Sequence, residues 1–476
     1  MQLLSIEFFV CFFFLFCTYW LLQKHIVWQN RLLLVFSLMG LYLLEPCFLY
    51  AVSVYSVFIA VVSAFMEKTQ KEKRRYYYLI LGIVFTLLFL CFFKYFDFFR
   101  PELQQRLGTE SVDILFPLGI SYYSFQGIAY LVALYKKQTR KLTFSQTLLY
   151  FSFFLTVTSG PIARISKSRS YLGEQIGMGE QIQTLTPRQM LSPVLAIYLI
   201  ILGIAKKWWF STILADNIVT PVFDNPFQYD GISVLSAIYG YTIQLFLDFS
   251  GYTDMVIGLA MLLGFRLPSN FFMPLRAVNL KAFWERWHIS LSTWIRDYIY
   301  IPLGGNRCSF IKQSRNILIA MILSGVWHGY GWNFFLWGLL HGIGLILFNC
   351  IQRFNLKRFL PLNEWWGNVL GIFLTFHFVV FTFVIFGSAS LEETTLIFSA
   401  LFHNEWHLPE NNLILFLSVM FGILIFYPLL NRFSAFIINA FSRLPVFMLA
   451  LPMIIVMLII IIASPSGIPG FIYANF

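Results

Sequence analysis

A chain of 476 residues that is 59% hydrophobic, 19% aromatic and only 12% charged, with a mean hydropathy of +0.73, lies outside the range of soluble domains. Its formal charge of +11, from 33 Lys+Arg against 22 Asp+Glu, belongs in such a protein to cytoplasmic loops and excludes the inference of a nucleic-acid partner. The apolar runs are long rather than alternating, which excludes an outer-membrane barrel and leaves an all-α, polytopic membrane bundle of about 11 to 13 crossings or re-entrant helices.

The N-terminal stretch MQLLSIEFFVCFFFLFCTYW lacks a basic n-region and a small-residue cleavage site, so it reads as a retained first helix. Apolar runs at 6–23, 32–44 and 48–65 lead to EKTQKEKRR at 67–75, a charged segment expected in the cytoplasm. The next spans, 77–97 and 112–135, return the chain to KKQTRK at 136–141, and two basic loops on one side make the orientation self-consistent. Within the returning span, FPLGISYYSFQGIAYLVALY carries Ser121, Ser124 and Gln126, either as interhelical glue or as the polar lining of a cavity. Ser159-Gly160-Pro161 marks a break, and 163–190, the longest polar stretch, is a cytoplasmic loop or a linker.

A span from Leu191 to Trp209 is expected to end in Lys206-Lys207-Trp208-Trp209, basic anchors beside an aromatic belt. YGYTIQLFLDFSGYTDMVIGLAMLLGF then sets Asp248 and Asp254 among apolar residues, as an ion pair with a nearby cation or as a lining of a site. Ser250-Gly251 between them suggests a helix that bends or begins anew. From 265 to 315 eight cations face two acids, a surplus that enforces topology and contacts lipid phosphates, or attracts a polyanionic donor.

Inside that segment, Trp284, Trp287, His288, Leu291, Trp294, Ile295 and Tyr298 fall on one helical stripe, with Arg286, Ser290, Thr293 and Asp297 opposite. The pattern predicts one helix at the membrane surface, tryptophans at headgroup depth, stopped by Pro302 and Gly304-Gly305. Further apolar runs follow at 367–387, 412–430 and 446–463.

Of the seven histidines, His25, His403 and His407 lie in turns or polar loops, and His377 and His341 read as packing residues. His328 differs, because it sits between apolar neighbours and glycine in SGVWHGYGW, where a ligand can approach the ring. An imidazole whose ordinary pKa is about 6.5, in a pocket that excludes water, is suited to taking a proton from a hydroxyl. His288 is placed to face the same cavity from the cytoplasmic side. No HExxH, GxSxG or nucleotide-binding glycine loop is present, and the six cysteines show neither metal spacing nor a paired framework, so no metal is expected.

FWERWHISLSTWIRDYIYIPLGGNR, followed by SGVWHGYGWNFFLWGLLHG, resembles the membrane-bound O-acyltransferase superfamily, and more narrowly its bacterial alginate O-acetyltransferase branch. Teichoic acid D-alanyltransferases and peptidoglycan O-acetyltransferases are relatives of that branch. The likeness extends to FPLGISYYSFQGIAYL, SGPIAR and FLDFSGYTDMVIGLAMLLGF, while the terminal FIYANF departs from the more aromatic ending expected.

The resemblance implies one integral membrane acyltransferase domain over 1–476 with its signature at 265–345, and a helical core in which two funnels meet at a thin centre. It implies His328 as the catalytic histidine and His288 as the second signature histidine. The candidate substrate- and donor-binding set is Gln126, Asp248, Arg286, Arg296, Asn306, Arg307, Trp327 and Asn333. Acetyl-CoA or another acyl thioester, including an acylated carrier protein, is the implied donor on the cytoplasmic side. An exported polysaccharide is the acceptor, an extracytoplasmic partner completes transfer, and the location is the inner membrane. A transporter with Asp248, Asp254 and His328 as relay groups, or a scaffold indifferent to His328, are the rival classes.

Overall fold

The computed structural model describes residues 5–107, 116–354, 363–407, 429, 432–443 and 446–465. Nearly all of the apolar run at 412–430, and the terminal FIYANF, lie outside them. The chain forms two compact units, one of residues 1–200 with 253–269 and one of 201–252 with 270–476.

The first unit is built from α1 (Ile6–Leu21), α2 (Ile26–Leu44), α3 (Pro46–Lys68), α4 (Glu72–Leu107), α5 (Ile120–Tyr135), α6 (Phe144–Ser152) and the short α7 (Met178–Gln183). Two long helices, α8 (Pro193–Asp224) and α9 (Gly231–Leu262), contribute to both units. Helix α5 starts only at Ile120, where Gly119 takes a left-handed conformation (φ 78°), so the expected span at 112–135 is shorter than its apolar run. The polar stretch 163–190 is not a loose linker. It carries a two-stranded antiparallel hairpin, Ser168–Arg169 with Gln175–Ile176, and then α7. It is docked by Arg188, whose guanidinium donates to Tyr19 Oη (3.2 Å), Asn30 Oδ1 (2.7 Å) and the Gln181 carbonyl (2.8 Å) and lies 4.4 Å from the Phe265 ring centre.

The second unit holds α10 (Leu280–Trp284), α11 (Ile289–Ile295), α12 (Phe310–His328), α13 (Trp332–Arg353), α14 (Glu364–Gly387), α15 (Leu391–His403) and α16 (Val446–Ala463). Seven helices are long and apolar enough to cross a membrane among the described residues: α2, α3, α4, α8, α9, α13 and α14. Several of the runs counted in the sequence form helices too short for that test, such as the 16-residue α1 and α5.

Two expectations about the middle of the chain are corrected. Helix α8 does not end at Trp209 but continues to Asp224 through two π-helical stretches, Ala205–Ser211 and Ala215–Val219. Lys207 is therefore in mid-helix and buried, not an interfacial anchor. Helix α9 runs unbroken through Ser250-Gly251. Glycine serves there as a contact rather than a break: a Cβ at Gly251 would lie 2.7 Å from the Gly203 carbonyl oxygen of α8.

Candidate active site

The stripe from Trp284 to Tyr298 is two helices, not one. Helix α10 stops at Trp284, the chain turns through Glu285–His288, and α11 starts at Ile289 and tightens into a π turn at Arg296–Tyr300. His288 sits at the corner with φ 43°, a left-handed conformation that a non-glycine residue holds only when its surroundings impose it. Asn270 imposes it here: its carbonyl accepts from Ile289 N–H (2.9 Å) and its Oδ1 from Ser290 N–H (3.2 Å). Phe272 N–H donates to the Arg286 carbonyl on the other side of the corner (3.0 Å).

Nor does the stripe lie open at a surface. Trp287, Leu291 and Trp294 are buried, and so is Ser290 from the supposedly polar face. Rings cover the stripe: Phe271 and Phe383 lie 5.1 and 5.0 Å from Trp287, and Phe249 lies 4.7 Å from the His288 ring. Burial pushes the imidazole of His288, which is only 1% exposed and outside the seven spans, down to about 3, so it is neutral at physiological pH.

His328 is the last residue of α12, at the tip of the α12–α13 hairpin, and is 3% exposed. The hairpin closes tightly because Gly325 has no side chain: a Cβ there would lie 2.2 Å from the Phe334 carbonyl oxygen. Trp327, Phe386 and Trp337 wall the imidazole at ring separations of 4.5, 4.9 and 5.7 Å. Trp337 also faces His341 at 4.8 Å, and His341 Nε2 shares a 3.0 Å hydrogen bond with Thr382 Oγ1. His341 is thus a packed, hydrogen-bonded wall residue. The Trp337 indole N–H is buried and has no hydrogen-bond partner among the described residues.

Asn333 is buried close by, and its Nδ2 donates to the Ser388 carbonyl (2.8 Å), two residues beyond Phe386. A carbonyl needs a donor, which fixes the amide's orientation and leaves Oδ1, an acceptor, without a partner among the described residues. Packed rings lead from Trp287, beside His288, to His328: Trp287 packs on Phe383, Phe383 lies 6.3 Å from Phe386, and Phe386 packs on His328.

The polar candidates divide. Arg296, Asn306 and Arg307 are exposed, Arg296 beside Asp297 (2.7 Å), and Arg286 is half-buried. Arg307 precedes α12 and His328 ends it, and at 1.5 Å per residue the 19-residue helix separates them by roughly 28 Å. Asp248 forms a buried ion pair with Lys207, the two side chains 2% and 4% exposed, so the ion-pair alternative is the one observed. Gln126 belongs to the other unit, where it is buried in α5. Neither of its amide atoms, nor the Ser121 and Ser124 hydroxyls, has a hydrogen-bond partner among the described residues, so they are not glue of the hydrogen-bonded kind.

Sequence reasoning missed Asn270, Trp337, Thr382 and Phe386. Trp337 carried a signal, one helical turn before His341; Phe386, inside the uniformly apolar run of α14, carried none.

The model of the membrane-bound O-acyltransferase family matches residues 73–390. The chain is similar to the peptidoglycan O-acetyltransferase of Helicobacter pylori, 32% identical over 372 residues, 71% of this chain and 66% of that one. It is also similar to a probable alginate O-acetylase of Azotobacter vinelandii, 31% identical over 377 residues, 76% of this chain and 70% of the relative. A teichoic acid D-alanyltransferase of Streptococcus thermophilus is 32% identical over 304 residues, 59% of this chain and 69% of the relative. The chain spans about two-thirds of the length of these relatives.

Proposed function

The chain belongs to the membrane-bound O-acyltransferase family, and we propose that it moves an acetyl group from a cytoplasmic thioester donor toward an exported cell-envelope polysaccharide, with His328 as general base. The two similar proteins named for O-acetylation, of peptidoglycan and of alginate, support acetyl as the group and a polysaccharide as the acceptor. Acetyl-CoA is the proposed donor, and an acylated carrier protein is the form to test beside it. The inner membrane is the proposed location and an extracytoplasmic protein the proposed partner in the final transfer. The family match, over residues 73–390, draws on residues of both compact units, which supports a single acyltransferase domain.

The observation that carries the proposal is the aromatic enclosure of His328, an imidazole held at a helix end by Trp327, Trp337 and Phe386. His328 takes the proton of the acceptor hydroxyl, the oxygen forms a bond to the thioester carbonyl carbon, and the carbon–sulfur bond breaks. The thiolate leaves without a strong acid, and the imidazolium's proton passes to it or to water. The carbonyl oxygen gains charge in that step and needs donors. The unpartnered Trp337 N–H beside His328 is suited to that role, with His288 as the second histidine of the site. Asn333 is a further candidate, since the Ser388 carbonyl takes only one of the two N–H groups of its amide.

The test is donor consumption by purified protein in lipid, with labelled acetyl-CoA or labelled acyl carrier protein and an extract containing the extracytoplasmic partner. Replacing His328 by Ala is expected to lower release of the free thiol by about 10²–10⁴-fold. Trp337→Phe, which keeps the ring and removes the donor, is expected to cost about 10²-fold or more. Full thiol release by folded His328→Ala protein refutes the base assignment, and no thiol release by the wild type from either donor refutes the reaction.

A further inference from the structure

Asn316, Ala320, Ser324 and His328 follow one another at four-residue spacing along α12, so they form one row on the helix, and all four are buried. The row starts one residue after Arg315, at the basic end of the helix, and ends at the proposed base. Asn316 is committed to the fold, its Nδ2 donating to the Leu303 carbonyl (3.0 Å), and Ala320 has no polar group to offer. Ser324 is therefore the polar side chain that the row places directly before His328.

Its hydroxyl is in an unusual state. A buried serine inside a helix commonly turns its hydroxyl back onto the carbonyl one turn earlier, as Ser37 does to Leu33 (2.7 Å), Ser56 to Val52 (2.6 Å) and Ser152 to Leu148 (2.7 Å). Ser324 does not: its Oγ, in a residue only 2% exposed, has no hydrogen-bond partner among the described residues. Ser121, Ser124 and Ser250 share that state, but of the four only Ser324 stands one turn before a histidine.

Packing does not account for the hydroxyl. Close approach of the hairpin strands is provided by Gly325, and an alanine at 324 would be as small as the serine. Position does account for it. A helix tilts its side chains toward its N-terminus, which sets the His328 side chain over the turn that carries Ser324. Ser324 is thus on the side of the base that faces Arg307, Lys312 and Arg315, the side from which a polyanionic donor arrives. Around its reacting carbon a thioester offers acceptors only, the carbonyl oxygen and a weakly accepting sulfur, and a hydroxyl is a donor as well as an acceptor.

We propose that Ser324 is a further catalytic residue, whose hydroxyl donates to the carbonyl oxygen of the acyl thioester from the donor's side of His328. The proposal rests on the acyl-transfer reading given above. As the acceptor oxygen bonds to the carbonyl carbon, the π pair of the carbonyl moves onto its oxygen, where the Ser324 O–H stabilises it. The pair returns when the carbon–sulfur bond breaks, and Ser324 keeps its proton throughout. A buried hydroxyl without a partner weakens the resting fold, and the thioester oxygen is the partner it lacks.

The test pairs steady-state thiol release with thermal denaturation, on full-length wild type, Ser324→Ala and His328→Ala, using labelled acetyl-CoA and labelled acyl carrier protein. Ser324→Ala is expected to lower kcat by about 10²–10³-fold, the usual effect of removing one donor to a developing oxyanion. Its KM for the donor is expected to stay within about threefold of wild type, because the bond strengthens only as charge develops. Its thermal midpoint is expected to be no lower than that of wild type, since no hydrogen bond of the fold is lost. A hydroxyl with a structural role gives the reverse: a midpoint more than about 3 °C lower overturns the proposal. So does a kcat within about fivefold of wild type, or a raised KM with kcat unchanged. In those three cases His328→Ala, measured beside it, still decides the base assignment on its own. If wild type releases no thiol from either donor, the acyl-transfer reading fails and this proposal fails with it.

Discussion

The buried pair of Lys207 and Asp248 makes a sharp prediction, because the sequence left Asp248 between a structural and a lining role. The two side chains are 4% and 2% exposed, so removing one leaves the other as a buried charge that has lost its ion pair. Breaking such a pair costs about 3–5 kcal/mol, far more than the pair is worth against an apolar replacement of similar size. Lys207→Met is therefore expected to lower the midpoint of thermal denaturation by on the order of 10 °C, at a few degrees per kcal/mol for a body of this size. The assay is the fraction of detergent-solubilised protein that still elutes as a single peak after heating. Lys207→Met/Asp248→Leu removes both charges and is expected to recover most of the loss, since no ion remains to be desolvated. If Lys207→Met leaves the midpoint within about 3 °C of wild type, or the double variant stays as low as the single one, the pair is not the structural element argued here.

Thr382→Val removes the hydroxyl partner of His341 and is expected to cost about 1–3 kcal/mol of stability, read by the same denaturation assay. Because His341 is a wall residue, thiol release at a temperature where the variant is folded should fall by less than about tenfold. Asn270→Ala releases the corner that holds His288; about 1–2 kcal/mol of stability and a lower kcat, with the KM for donor unchanged, are expected from denaturation and steady-state kinetics. Arg307→Gln, at the exposed end of α12, is expected to raise the KM for a polyanionic donor several-fold with kcat unchanged, an effect that should shrink as ionic strength rises.

The helical membrane class was legible because a bilayer demands long apolar runs, and α2, α3, α4, α13 and α14 lie where such runs occur. What periodicity could not supply was tertiary context. The stripe from Trp284 to Tyr298 is perfect at helical spacing, yet the chain breaks at His288 because Asn270, distant in sequence from the stripe's start, satisfies the backbone of a new helix there. Ser250-Gly251 signals a break by composition, whereas the structure uses Gly251 to admit the α8 backbone. Lys206-Lys207-Trp208-Trp209 has the composition of an interfacial belt, and Asp248, about 40 residues on, changes its meaning by drawing Lys207 into the interior. His328 was legible as unusual from its apolar and glycine neighbours; Phe386, one of its walls, was not, because nothing sets one phenylalanine of α14 apart from the others.

The length of α12 separates two tasks. One end carries Arg307, Lys312 and Arg315, and the other carries His328, so the residues suited to a donor's charges stand roughly 20 to 28 Å along the helix from the proposed base. A thioester donor with its charges at the basic end must therefore reach along most of the helix before its carbonyl meets the imidazole. This favours a donor whose acyl group rides on a long, flexible, largely uncharged arm, a description that both coenzyme A and a carrier protein's prosthetic group satisfy. With His328 as the proposed base, discrimination between acyl groups is expected to fall to the rings that wall it, Trp327, Trp337 and Phe386.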